Sequence, residues 1–307
     1  MLRRLLLYLA GAAWARKIVT DWGLARRVAR RFVAGETLEE ALEVTQRLNE
    51  QGLLVTLNTL GESITQEAHT QAVVAAYQQL IGAIHDRGLE ATVSIKPTQL
   101  GLDISESLCL NNLRTILGAA QPYGIPVTID MEGSAHLEAT LRLFRTLHDD
   151  YEFANVGTVI QAYLRHSEDD MRQLAAENCH IRLVKGAYLE PDTVAFADKA
   201  EINANFIKLA HLFLTESDSS YLCVASHDEN MIQAVESIVR ENNISPDRYE
   251  YQMLLGIRGD RQQELAAVGV KMRVYVPYGE AWYPYFVRRL AERPANLWFF
   301  IRALVGS

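Results

Sequence analysis

The sequence predicts a closed (β/α)8 barrel, and three observations carry that expectation. Eight short, near-continuous apolar runs recur along the 307-residue chain, the signature of parallel strands buried on both faces. Longer helical stretches separate them, so each strand-helix-strand step reads as a parallel βαβ unit, and eight such steps close a barrel. None of the runs leads into a G-x-G-x-x-G or a P-loop, which would have favoured a doubly wound nucleotide-binding sheet.

Residues 1–50 are expected to form a basic helical segment ahead of a barrel over residues 51–307. The strands fall at 53–57, 91–95, 126–129, 158–161, 181–184, 222–225, 251–255 and 272–276. The helices fall at 67–87, 107–123 and 135–150, then at 169–178, 198–215 and 231–242. Arg87-Gly88 and Tyr123-Gly124 are helix stops placed just before the next strand.

A barrel carries its active site where the strands end. Polar residues gather there: Asn58 and Glu62 after strand one, Lys96 after strand two, and Asp130 and Glu132 after strand three. Gln161 and Arg165 follow strand four, Lys185 and Tyr188 strand five, and His227 and Asp228 strand six; Tyr275 ends strand eight. Singly, each reads as a solvated loop residue. Together they predict one polar mouth.

Past strand eight, Pro284 suits a first helical turn. Tyr285, Arg288, Arg289 and Glu292 then share one helix face at i, i+3, i+4 and i+7. Two adjacent guanidiniums repel unless an anion lies between them, and the planar fork of arginine matches a carboxylate bidentately. The helix is expected to lean over the barrel mouth as a carboxylate clamp; the competing reading is a solvated stripe in which Glu292 merely pairs with the arginines. Lys96 and Lys185 leave open a second chemistry, a Schiff-base lyase. H-E-x-x-H and G-x-S-x-G are both absent, so zinc proteolysis and serine hydrolysis lack support.

The formal net charge is -8. Residues 1–35 carry eight basic side chains against Asp21, a net of +7, so the remainder sums to -15. An acidic body argues against nucleic-acid binding. The basic head is either a helix packed on the body or one lying on an anionic membrane surface. Its apolar run from Leu5 to Trp14 is too short to cross a bilayer, which takes ~20 residues. Cys109, Cys179 and Cys223 show no metal-ligand spacing and suit a reducing cytoplasm, with the protein free there or peripheral on the inner face of the membrane.

Four ordered motifs resemble the proline dehydrogenases, especially the stand-alone bacterial enzymes: Arg182-Leu-Val-Lys-Gly-Ala-Tyr188, Tyr251-Gln-Met-Leu-Leu-Gly256, Arg273-Val-Tyr-Val-Pro277 and Tyr285-x-x-Arg-Arg-x-x-Glu292. The similarity spans residues 40–305. It implies oxidation of L-proline to 1-pyrroline-5-carboxylate, the first step of proline catabolism, by hydride transfer from C5 to N5 of FAD, with a membrane quinone as the electron acceptor. By that resemblance Lys96, Arg288 and Arg289 hold the proline carboxylate. Tyr275, Tyr285, Leu254, Ala187 and Tyr188 wall the ring, and Asp130 stands beside it.

Gln161, Arg182, Val184, Lys185, Gly186 and His227 match flavin-contacting positions, Arg182 facing the N5 edge, and Glu292 divides between the arginines and the cofactor. On a regular strand Arg182 and Lys185 would point to opposite faces, so they meet one ligand only if the strand has ended between them. The resemblance departs at Asp228, where the family often has Asn; that residue is not expected in the site. A non-catalytic barrel that binds an amino acid stays open beside the lyase.

Overall fold

The computed structural model describes residues 29–61 and 63–292, and within the last helix leaves out the side chains of Arg288, Leu290, Ala291 and Glu292. Most of the basic head and the side chains of Glu62, Arg288 and Glu292, all named above, lie outside what is described.

Eight parallel strands close into a barrel in sequence order, β8 pairing with β1. They are β1 (Leu54–Thr59), β2 (Ala91–Ile95), β3 (Val127–Ile129), β4 (Val156–Gln161), β5 (His180–Val184), β6 (Tyr221–Ala225), β7 (Tyr249–Leu254) and β8 (Met272–Tyr278). All eight stand where expected, but β1 and β8 run on by two residues. Their register continues through Asn58↔Pro277 and Thr59↔Tyr278, so polar residues and a proline join a ladder that apolar runs alone do not reveal.

Helix α1 (Leu38–Asn49) precedes the barrel. Thr37 and Glu40 form a reciprocal capping box at its start, and Ala41 and Leu42 bury its inner face in the core shared with β1 and β8. The outer ring is α2 (Glu67–Asp86), α3 (Glu106–Ala120), α4 (Leu137–Arg145), α5 (Ser167–Ala176), α6 (Lys199–Glu216), α7 (Glu229–Glu241) and α8 (Gly259–Ala267). Residues 121–123 and 146–150, expected to be helical, leave the α form as a 3-10 turn and a π turn. Gly88 and Gly124 take left-handed backbone directly after the helices they stop.

The two faces of the barrel wall differ in chemistry. The outward row (Val55, Leu57, Val93, Ile95, Val127, Ile129, Ile181, Leu183, Leu222, Val224, Val274 and Val276) is fully buried under the helices. The inward row follows from the register: Thr56 lies beside Thr92, Ser94 beside Thr128, Arg182 beside Cys223, Cys223 beside Glu250, and Gln252 beside Arg273. Because strand side chains alternate, the outward half supplies the hydrophobic signal and the inward half carries the polar groups. Cys109 and Cys179 are buried, as expected of small hydrophobes, whereas Cys223 stands part-exposed on the inner row.

A second apolar cluster sits beyond the strand ends. Phe32 and Val33 pack with Trp282, Tyr283, Phe286 and Val287 of helix α9 (Trp282–Glu292), and Leu60 after β1 and Leu254 at the end of β7 join it. Residues 29–33 therefore hold α9 across the mouth.

Candidate active site

The centre of the mouth is an ion pair. Arg182, on the inner row of β5, donates from Nη1 to Asp130 Oδ1 (2.6 Å) and Ser94 Oγ (2.9 Å), and from Nε to Gln252 Oε1 (2.7 Å). Asp130 follows β3 and also accepts from Ser94 Oγ (2.7 Å) and, at Oδ2, from the Tyr275 hydroxyl (2.9 Å). Only 6% of the Arg182 side chain and 14% of the Asp130 side chain are exposed, so water screens the pair weakly. The guanidinium carbon lies 5.3 Å from the centroid of the Tyr275 ring. Burial, and then the Asp130 charge, push the Tyr275 phenol well above its ordinary range, so it acts there as a neutral donor.

Lys96 and Glu132 border this cluster. Lys96 follows β2 in extended backbone, so the alternation from Ser94 carries it to the inner side. Glu132 is buried and accepts from Thr98 N (3.0 Å) and Thr98 Oγ1 (2.9 Å). Burial raises its pKa, while the Thr98 backbone bond and the Lys96 charge pull the other way. Glu132 thereby ties down the short turn that begins at Lys96.

On the opposite side, β5 ends at Val184, and this removes the geometric conflict between Arg182 and Lys185. Arg182 and Val184 face inward, while Lys185 leaves the strand and donates from Nζ to Asp228 Oδ2 and Asn203 Oδ1, each at 2.6 Å. Those are the partners of an ammonium group, which disfavours a Schiff-base role for this lysine. Asp228, not expected in the site, is thus brought into it. Gly186 has φ +109, and a Cβ there would run into the Tyr163 ring, so this close approach requires glycine. The His227 ring accepts at Nε2 from Leu254 N (2.9 Å), which places its neutral proton on Nδ1.

Gln161 ends β4 with its side chain buried. Its amide nitrogen donates to Met131 O and Glu132 O, whereas its Oε1 is buried with no partner among the described residues. A buried acceptor without a donor is costly unless a ligand supplies one.

Above the mouth, Tyr285 is 8% exposed, and Arg289 places its guanidinium carbon 5.1 Å from that ring's centroid. Tyr285 is near enough to Tyr275 to oppose its ionisation. Leu254 bridges the inner row and this upper cluster. Ala187 and Tyr188 are exposed in the loop after β5, Tyr188 by 39%, whereas Tyr285 is buried and Tyr275 and Leu254 are half-buried.

The sequence profile of proline dehydrogenase matches residues 41–302. Proline dehydrogenase 1 of Bacillus subtilis strain 168 is 43% identical over 305 residues, covering 99% of both chains. The proline dehydrogenase of Deinococcus radiodurans is 41% identical over 287 residues, 92% of this chain and 91% of that one. The chain belongs to the proline dehydrogenase family.

Its stand-alone relatives match it over 91–99% of their own length, whereas the bifunctional protein PutA of Escherichia coli K12 is 28% identical with 24% of its own length covered. Among solved structures, proline utilization A from Bdellovibrio bacteriovorus inactivated by N-propargylglycine superposes with a TM-score of 0.82 at 27% identity, over 87% of this chain and 33% of that one.

Within this proline dehydrogenase barrel, motif reading missed Ser94, Gln252, Glu250 and Asn203. Three of these were detectable through strand parity, since Ser94, Glu250 and Gln252 occupy the same inner row as Arg182 and Tyr275. Asn203 sits on α6, where nothing local marks it.

Proposed function

We propose that this proline dehydrogenase is the FAD-dependent, stand-alone enzyme that oxidises L-proline to 1-pyrroline-5-carboxylate. The observation that carries the reading is the polar inner row at the mouth, where Arg182 pairs with Asp130, Lys96 follows the neighbouring strand β2, and the helix that bears Arg289 lies above. The orphaned Gln161 Oε1, the close backbone approach at Gly186 and the cationic Lys185 and Arg182 fit a flavin, and with Val184 and His227 they would hold it. When bound, FAD supplies the acceptor for the C5 hydrogen and its electron pair.

The substrate is an amino acid with a carboxylate at one end and an apolar ring at the other. Lys96, Arg288 and Arg289 would take the carboxylate, and Tyr275, Tyr285 and Leu254 would wall the ring, with Ala187 and Tyr188 closing from the loop. Fixing one end of the ring sets where C5 lies, and that orientation is a large part of the rate. As C5–H is lost with both its electrons, the ring nitrogen gives up a proton and its lone pair forms the C=N bond. Asp130 holds Arg182 and Tyr275 in place, so positive charge is pre-set beside the reacting atoms without rearrangement. The apolar face of α9 keeps water from the mouth. Electrons would pass to a membrane quinone, and the basic head would hold the protein against an anionic bilayer surface.

Steady-state turnover of L-proline with a quinone or dye acceptor tests the assignment. Arg288→Ala and Arg289→Ala are each expected to raise the proline KM at least tenfold while FAD stays bound, a loss of about 1.4 kcal/mol or more. Variants that lose flavin and keep the wild-type KM would contradict the clamp. Borohydride trapping of substrate on Lys96 would favour a lyase instead.

A further inference from the structure

Below the Arg182–Asp130 pair lies a second buried charge cluster that the proposed reaction does not use. Glu250, on the inner row of β7, is 1% exposed. Its carboxylate accepts from Arg273 Nε (2.6 Å) and Nη2 (2.9 Å), from the Tyr221 hydroxyl (3.1 Å) and from Gln252 Nε2 (2.6 Å). Arg273 is held in turn by Val55 O at 2.9 Å. Burial alone would raise the pKa of this acid, but the Arg273 charge and these donors outweigh it and hold it below its ordinary value.

An ionised carboxylate only accepts hydrogen bonds, so the Gln252 amide must turn its NH2 toward Glu250. Its oxygen then points the other way, and Arg182 Nε donates to it at 2.7 Å. Rotating the amide by half a turn would set oxygen against carboxylate and NH2 against guanidinium, two repulsive contacts in a weakly screened interior. The charge of Glu250 therefore fixes which end of Gln252 Arg182 meets. With Nε tied to Gln252 and Nη1 tied to Ser94 and Asp130, the plane of the guanidinium is set.

The geometry points to Glu250 as a positioning residue for the reaction: acting through Gln252 from deep in the barrel, it fixes the Arg182 guanidinium at the mouth. The inference rests on the proposed reading that Arg182 faces the flavin.

The test uses the full chain loaded with FAD. Glu250→Gln is expected to slow flavin reduction at saturating proline roughly tenfold, the worth of one charge-assisted hydrogen bond, and to lower the flavin midpoint potential. The proline KM should change less than twofold, because the clamp lies on α9 and after β2. Tyr221→Phe removes one donor to Glu250 but leaves the amide oriented, and it should keep both readouts near wild type. On a Gln252→Met background, Glu250→Gln should add less than twofold, since the route of its effect is already cut.

If Glu250→Gln does not fold, Gln252→Met carries the test, because it leaves the Glu250–Arg273 pair intact. It should reproduce the slower reduction and the lower potential. Wild-type reduction rate and potential in either variant, or full additivity in the double variant, would overturn the proposal. A wild-type protein that binds no flavin, or whose flavin proline leaves unreduced, would overturn the functional reading and this inference together, so the two failures are distinguishable.

Discussion

Replacing Asp130 by asparagine and, separately, by alanine weighs the charge at the centre of the mouth against its shape. Asp130 accepts from Ser94, Arg182 and Tyr275, at 2.7, 2.6 and 2.9 Å. Asparagine keeps an oxygen for Arg182 and Ser94 and offers Tyr275 an NH2, to which the hydroxyl can turn as acceptor. It therefore loses charge assistance and little geometry, an expected cost of about 1.5–3 kcal/mol. Both substitutions remove the counter-ion of Arg182, but alanine also removes all three acceptor contacts and leaves the guanidinium, whose side chain is only 6% exposed, with no oxygen in its place. Stranding one partner of such a pair costs about 3–5 kcal/mol. Equilibrium urea unfolding of the flavin-loaded protein, followed by far-UV circular dichroism, reads both costs from the midpoint at unchanged m. An Asp130→Ala variant that loses less than about 1 kcal/mol, or no more than Asp130→Asn, would refute the claim that the pair is a weakly screened unit.

Three further outcomes are expected. Gly186→Ala should weaken both folding and flavin retention, by about 1–3 kcal/mol, because the new Cβ runs into the Tyr163 ring and φ is +109; unchanged urea midpoints and flavin content would contradict it. Glu250 has a folded pKa below its unfolded value of 4.5, so the unfolded chain binds more protons in that window. Its stability contribution is complete above about 4.5 and is lost as pH falls through the folded value, so Glu250→Gln should flatten the acid limb of stability measured from pH 7 to pH 3, and an unchanged slope would count against it. Removing residues 1–27, which carry six basic side chains against Asp21, a net of +5, should weaken sedimentation with anionic vesicles and leave turnover in detergent intact; equal sedimentation would end the membrane reading.

The barrel was legible because its outward strand positions are uniformly apolar, as Val55 and Leu57 on β1, Val93 and Ile95 on β2, and Val274 and Val276 on β8 illustrate. The strand ends were less legible. Asn58, Pro277 and Tyr278 belong to β1 and β8 through pairing between distant strands, and no local pattern encodes that. Asp130, Tyr275 and Lys185 were readable as polar residues at or beside strand ends, whereas Arg182, in the middle of β5, was named only through the family resemblance. Their pairings were not: strand parity places Ser94 and Gln252 on the inner row, but only closure of the barrel brings them to Arg182, and Asn203 serves Lys185 from a helix. Asp228 was set aside because the family often has Asn there, yet its carboxylate meets Lys185, a position that the resemblance matches to the flavin.

Anaerobic absorbance of the purified, FAD-loaded protein during titration with L-proline tests the central claim most directly. The account predicts a yellow protein whose flavin band bleaches as proline is added, with 1-pyrroline-5-carboxylate formed in equal amount to flavin reduced. A protein that takes up no flavin, or a bound flavin that keeps its absorbance under saturating proline, would contradict it.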